Sequence, residues 1–161
     1  MEKEYNLKEI FDIAIQIEVN GAKFYRDLAE KQTIPAVKKF LLDLAEQEGQ
    51  HENIFIRLQR KFVDDGNESE LLGDDFAKMY MQAEAANYIF KSAQSDVINE
   101  NMLLGDILEL AMNKERDSIL FFMGLKFAMK QPADKEIIDH LINEEQLHLA
   151  TLAQFRAEYG N

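Results

Sequence analysis

Apolar residues recur at helical spacing over four long stretches of the chain, and polar breaks separate them. The first runs through residues ~6–30 (Ile10, Ile13, Ile17, Phe24, Leu28), and the second from Pro35 to ~60 (Leu41, Leu44, Phe55, Leu58). The third covers ~103–129 (Leu104, Ile107, Ala111, Phe122, Leu125), and the last Pro132 to ~158. A period near 3.6 predicts amphipathic helices, and almost no period-two alternation supports a strand. Pro35 and Pro132 each follow a short polar break, which suits the first turn of a new helix. Residues 63–75, VDDGNESELLGDD, are acidic with two glycines and read as a loop. FAKMYMQAEAANYIFKSAQS (~76–95) reads as helical again, with Phe76, Tyr80, Tyr88 and Phe90 as its apolar face.

These elements predict an all-α chain forming a single domain over 1–161. Hairpin one spans ~6–62, a long and partly helical crossover ~63–102, and hairpin two ~103–159. Two helical hairpins joined in this way make a four-helix bundle. The hairpins are copies. A gapless shift of 97 lays IFDIAIQIEVNGAKFY (10–25) over ILELAMNKERDSILFF (107–122), with Ala14 on Ala111, Glu18 on Glu115 and Tyr25 on Phe122. The same shift takes Pro35 to Pro132, Leu44 to Leu141, Glu48 to Glu145 and His51 to His148.

The duplicated polar residues lie on the stripes that everything else marks as buried. Glu48 and His51 are three apart and share a helix face, as do Glu145 and His148. Glu18 and Glu115 lie on the stripes of the other two helices, each followed three residues later by a small residue, Gly21 and Ser118, which leaves room beside the carboxylate. Four ionised carboxylates in a core would repel one another and lose several kcal/mol each in solvation. Two divalent cations bring +4 against that −4. Oxygen and imidazole donors in this ratio suit iron or manganese better than magnesium or calcium, and zinc accepts the same atoms. One E-x-x-H is a weak signal in an acidic chain. Two in matching register, each paired with a further glutamate on an apolar stripe, point to a dinuclear metal site. His140 is the control: its repeat partner is Asp43, no glutamate stands three before it, and it reads as a surface residue.

Composition narrows the partners. A 161-residue chain that is 47% apolar fits one domain with a sizeable core. A formal charge of −12 opposes binding to nucleic acid or to an anionic membrane surface. No apolar run approaches the roughly 18 residues of a membrane span, and MEKEYNLKEI lacks an apolar signal core, so the cytoplasm is expected. The absence of cysteine excludes thiolate metal sites within these residues.

EVNGAKFY (Glu18, Tyr25), EGQH (Glu48, His51), ERDSILFF (Glu115) and EQLH (Glu145, His148) together resemble the rubrerythrins and their relatives in the ferritin-like superfamily. The resemblance covers both hairpins. It implies a ferritin-like bundle around a carboxylate-bridged centre of two iron ions per chain, manganese or zinc being alternatives in a purified sample. By that pattern Glu18 and His51 serve one metal, Glu115 and His148 the other, and Glu48 and Glu145 bridge. Tyr25, two turns beyond Glu18 on the same face, is placed to hydrogen-bond and orient a ligating carboxylate, the alternative being an aromatic that only packs in the core, as Phe122 at the matching position would. Two departures stand out. The four cysteines of the family's rubredoxin-like domain do not occur in these residues, and Ser118 stands where an extra third-helix glutamate is expected.

Two functions are compatible with this pattern. One is reduction of hydrogen peroxide or dioxygen in oxidative-stress defence, with electrons from a separate donor such as a rubredoxin. The other is iron handling, in which ferrous iron is oxidised and passed on or stored. A homodimer is expected, because the crossover carries more apolar surface than a four-helix core needs.

Overall fold

The computed structural model describes residues 4–66, 75–92 and 102–160. Among the described residues every regular element is helical. They fall in two compact units, Tyr5–Ser69 and Glu70–Asn161 with Met1–Glu4.

The first unit is a helical hairpin of α1 (Leu7–Glu30) and α2 (Pro35–Gln59). A capping box starts α1. Asn6 Oδ1 accepts from the Glu9 amide at 2.9 Å, and the Asn6 amide donates to Glu9 Oε2 at 2.9 Å. Pro35 opens α2, where its missing N–H costs nothing. α2 continues into a π-helical turn, Arg60–Asp64, closed by Asp65 N–H to Arg60 C=O at 3.0 Å. Val63 and Asp64, expected in the loop, are therefore helical, and Gly66 at φ 75° ends the run. The wide turn buries Phe62 and stacks it on Phe11 with 6.1 Å between ring centroids. Gln59 ties the same end together, donating to Asp12 Oδ1 at 2.6 Å.

The second unit holds α3 (Asp75–Ser92), α4 (Leu104–Ala128) and α5 (Pro132–Tyr159). α4 and α5 form the second hairpin, and Lys126 donates to Asp139 at 2.5 Å between them. The repeat register holds in burial: Ile10 and Ile107, Ala14 and Ala111, Leu28 and Leu125, Leu44 and Leu141, Phe55 and Leu152 are all buried.

α3 packs on α4 through small and apolar residues flanked by Tyr80 and Tyr88, with Phe76 left outside. Ala77, Met81 and Ala85 are buried while Phe76 is 69% exposed, and Tyr80 is half-buried with an edge contact to Phe127. Tyr88 meets Phe121 edge-on at 6.3 Å. The small residues Ala77 and Ala85 let the two helix axes approach. The side chain of Phe90 lies outside the described residues.

Candidate metal centre

Helical spacing alone brings the first set of donors together. Glu18 projects from the middle of α1, and Glu48 and His51 lie one turn apart on α2. All three are at most 4% exposed. His51 turns Nδ1 toward the carboxylates, 3.6 Å from Glu18 Oε2 and 3.7 Å from Glu48 Oε2. The close approach of Glu48 to α1 depends on Gly21, where a Cβ would stand 3.3 Å from Glu48 Cδ.

The second hairpin repeats the constellation. Glu115 on α4 and Glu145 and His148 on α5 are buried. His148 Nδ1 lies 3.8 Å from Glu115 Oε2 and 3.1 Å from Glu145 Oε2, the latter a hydrogen bond. Within each hairpin the three residues offer donor atoms within 4.8 Å of one another. Donors about 2.1 Å from one ion lie about 3.0–3.5 Å apart at right to tetrahedral angles, so each set needs little adjustment to close on an ion. Two carboxylates and an imidazole also match the preferences of iron, manganese or zinc. The donor sets fit the metal chemistry that their residue types imply.

The remaining singled-out residues divide by burial. Tyr25 is 2% exposed and meets Phe24 edge-on at 5.4 Å; its repeat partner Phe122 is fully buried. Ser118 is half-buried and returns its hydroxyl to Lys114 C=O on its own helix at 3.1 Å. His140 is exposed, its Nε2 3.5 Å from Glu144. Asp134, on the first turn of α5, is a buried carboxylate that the sequence reading passed over. Its repeat partner is the buried Val37, so the 97-residue register is the one sequence signal that marks it as a core position.

The family model for rubrerythrins matches residues 9–156, across both hairpins and all six Glu and His positions. The chain belongs to the rubrerythrin family. Rubrerythrin-family membership agrees with a likeness to a solved structure from Thermotoga maritima, described as a ferritin-like diiron-carboxylate protein. That structure is 25% identical and superposes with a TM-score of 0.70 over 98% of this chain and 99% of its own. The all-α, ferritin-like reading of the sequence therefore holds. No curated protein matches the chain by sequence. A rubrerythrin-family chain with a buried Glu/His group in each hairpin fits a diiron-carboxylate protein. No rubredoxin-like domain is evident in these 161 residues. Among the described residues, no helix is long and apolar enough to cross a membrane.

Proposed function

We propose that this rubrerythrin-family protein is a diiron redox protein that reduces hydrogen peroxide, or dioxygen more slowly, in the cytoplasm. Two iron ions bound to it supply two electrons to an O–O bond. The single observation that carries this reading is the buried Glu–Glu–His set occurring twice, in one sequence register.

Each residue has a definable task. Glu18 and His51 would hold one ion and Glu115 and His148 the other, with Glu48 and Glu145 as ligands that both ions would share. Bound there, two ferrous ions would supply the electron pair that reduction of an O–O bond requires. Burial keeps bulk water from the donors and from reactive oxygen species. Tyr25, buried two turns beyond Glu18, orients a ligating carboxylate through its hydroxyl. Ser118 contributes no carboxylate, so slower and less peroxide-selective chemistry is expected than with the extra glutamate. Electrons come from a separate donor such as a rubredoxin. The exposed apolar residues Phe76, Met79 and Phe127 suit a homodimer.

Stopped-flow mixing of the anaerobic, ferrous-loaded protein with equal concentrations of peroxide or dioxygen tests the reading. Faster oxidation by peroxide is the expected result. Faster reaction with dioxygen, with added ferrous iron consumed over many turnovers, would establish the iron-handling function instead.

A further inference from the structure

α3 carries two apolar faces, and α4 covers one of them. Ala77, Met81 and Ala85 are buried on the side that packs against α4. On the opposite side Phe76, Met79, Ala83 and Ala86 follow one another at helical spacing and form one exposed stripe. Phe76 is 69% and Met79 71% exposed. From Met79 to Phe90 the sequence holds a single charged residue, Glu84, in a chain that is 30% charged. The bare surface continues onto α4. Tyr80, one turn beyond Phe76, meets Phe127 edge-on, and Phe127, Leu120 and Met123 are themselves exposed. The repeat supplies an internal control: at the matching positions α1 has Glu30, Lys23 and Arg26, all exposed. A charged, solvated face in hairpin one is thus apolar in hairpin two, beyond the part that α3 covers.

We propose that this face docks a second copy of the chain, with the two α3 helices antiparallel about a twofold axis. The inference rests on the homodimer reading above and gives that dimer a surface and a register. The stripe has large residues in its N-terminal half and alanines in its C-terminal half. Antiparallel pairing sets Phe76 of one copy beside Ala86 of the other, and Met79 beside Ala83. Both pairs centre on residue 81, so one register satisfies them together, as a self-complementary twofold contact requires. Large side chains then interdigitate with small ones on both sides of the axis. A parallel pair would instead crowd Phe76 on Phe76 and leave Ala86 opposite Ala86. An apolar, charge-depleted surface is what a permanent interface has, whereas an electron donor that docks and leaves suits a smaller and less apolar patch.

Sedimentation velocity and disulfide crosslinking of the full chain test this. The wild type is expected at twice the 18.7 kDa chain mass at micromolar concentration. Ala83→Arg puts a charge at the centre of the stripe, away from the α4 contact, and should give monomers with the wild-type circular dichroism spectrum. Leu42→Arg, on an exposed apolar position of α2, should leave the dimer intact. The chain has no cysteine, so introduced thiols report orientation directly. Phe76→Cys and Ala86→Cys chains, separately tagged and co-expressed, should form the crossed disulfide on oxidation and neither self-pair. Ten residues of helix span about 15 Å, which leaves identical positions of an antiparallel pair too far apart to bridge. Crosslinking keeps the test available should Ala83→Arg fail to fold. A wild type that sediments as a monomer would overturn both the homodimer reading and the inference. A mass that Ala83→Arg leaves unchanged, Ala86→Cys chains that bridge to each other, or a dimeric mixture without the crossed disulfide would overturn the inference alone.

Discussion

Gly124 on α4 and Tyr80 on α3 approach so closely that a Cβ on the glycine would lie 3.0 Å from the tyrosine Cε1. Met81 Sδ would be 3.5 Å from the same point. The seat of α3 on α4 is thus shaped by a missing side chain. Gly124→Leu is expected to push Tyr80 and Met81 outward and to destabilise the protein by about 1–3 kcal/mol, the usual cost of overpacking. Thermal unfolding and amide exchange along α3 check this. Equal or greater stability, with α3 amides still protected, would show that the close approach is incidental.

Gly21 makes the opposite kind of prediction. Alanine in a helix interior is favoured over glycine by roughly 0.8–1.0 kcal/mol. The contact an alanine would make at 3.3 Å is with Glu48, a side chain that can shift by a few tenths of an ångström. The apo protein with Gly21→Ala should therefore be as stable as the wild type or more so. Its stabilisation by metal should fall. Melting curves with and without manganese separate the two effects, and an undiminished metal response would show that Glu48 needs no such seat.

Metal binding should stabilise the fold by mass action, about 2.7 kcal/mol at an ion concentration a hundredfold above Kd. Anaerobic loading with ferrous iron is expected to give about two ions per chain by elemental analysis. Glu48→Ala and Glu145→Ala should each abolish most of the rise in melting temperature. If both variants respond to metal as the wild type does, the bridging roles are wrong.

Asp12 gives a pH dependence away from the metal donors. Burial raises its carboxyl, but hydrogen bonds from the Lys8 ammonium and the Gln59 amide outweigh that and hold it below the ordinary aspartate value of 3.8. A depressed carboxyl stabilises the folded state above the unfolded value, and that contribution is lost as pH falls through the depressed one. The contribution is therefore fully present at neutral pH and is lost only in strongly acidic solution. Gln59→Ala should move the Asp12 midpoint back toward 3.8 in a carbon-detected NMR titration. An unmoved midpoint would leave Lys8 as the sole cause.

The differences between the two repeats carry a signal for the position of α3. Across the 97-residue repeat, Asp27 corresponds to Gly124 and Lys31 to Ala128. In hairpin one those residues are exposed and charged; in hairpin two they are small and buried, as a face covered by another helix requires. Phe76 is large and apolar yet lies outside this contact, although such side chains usually seek the core. Helices that pack closely instead place small residues at the contact, and which residues those are depends on the partner helix.

Local chain chemistry alone determined the helices, the duplicated hairpins and the six buried Glu and His positions. Helical periodicity, N-terminal prolines and the E-x-x-H spacing depend on a few neighbouring residues and survive in any fold that uses the helix. Only tertiary structure decided the continuation of α2 into a wide turn that buries Phe62, because that turn is stabilised by Phe11 on a different helix. It also decided the face by which α3 docks and the seat of Glu48 against Gly21. Those depend on which side chain, or which missing one, a neighbouring helix presents at a distance of a few ångströms. One-dimensional spacing holds no record of that distance.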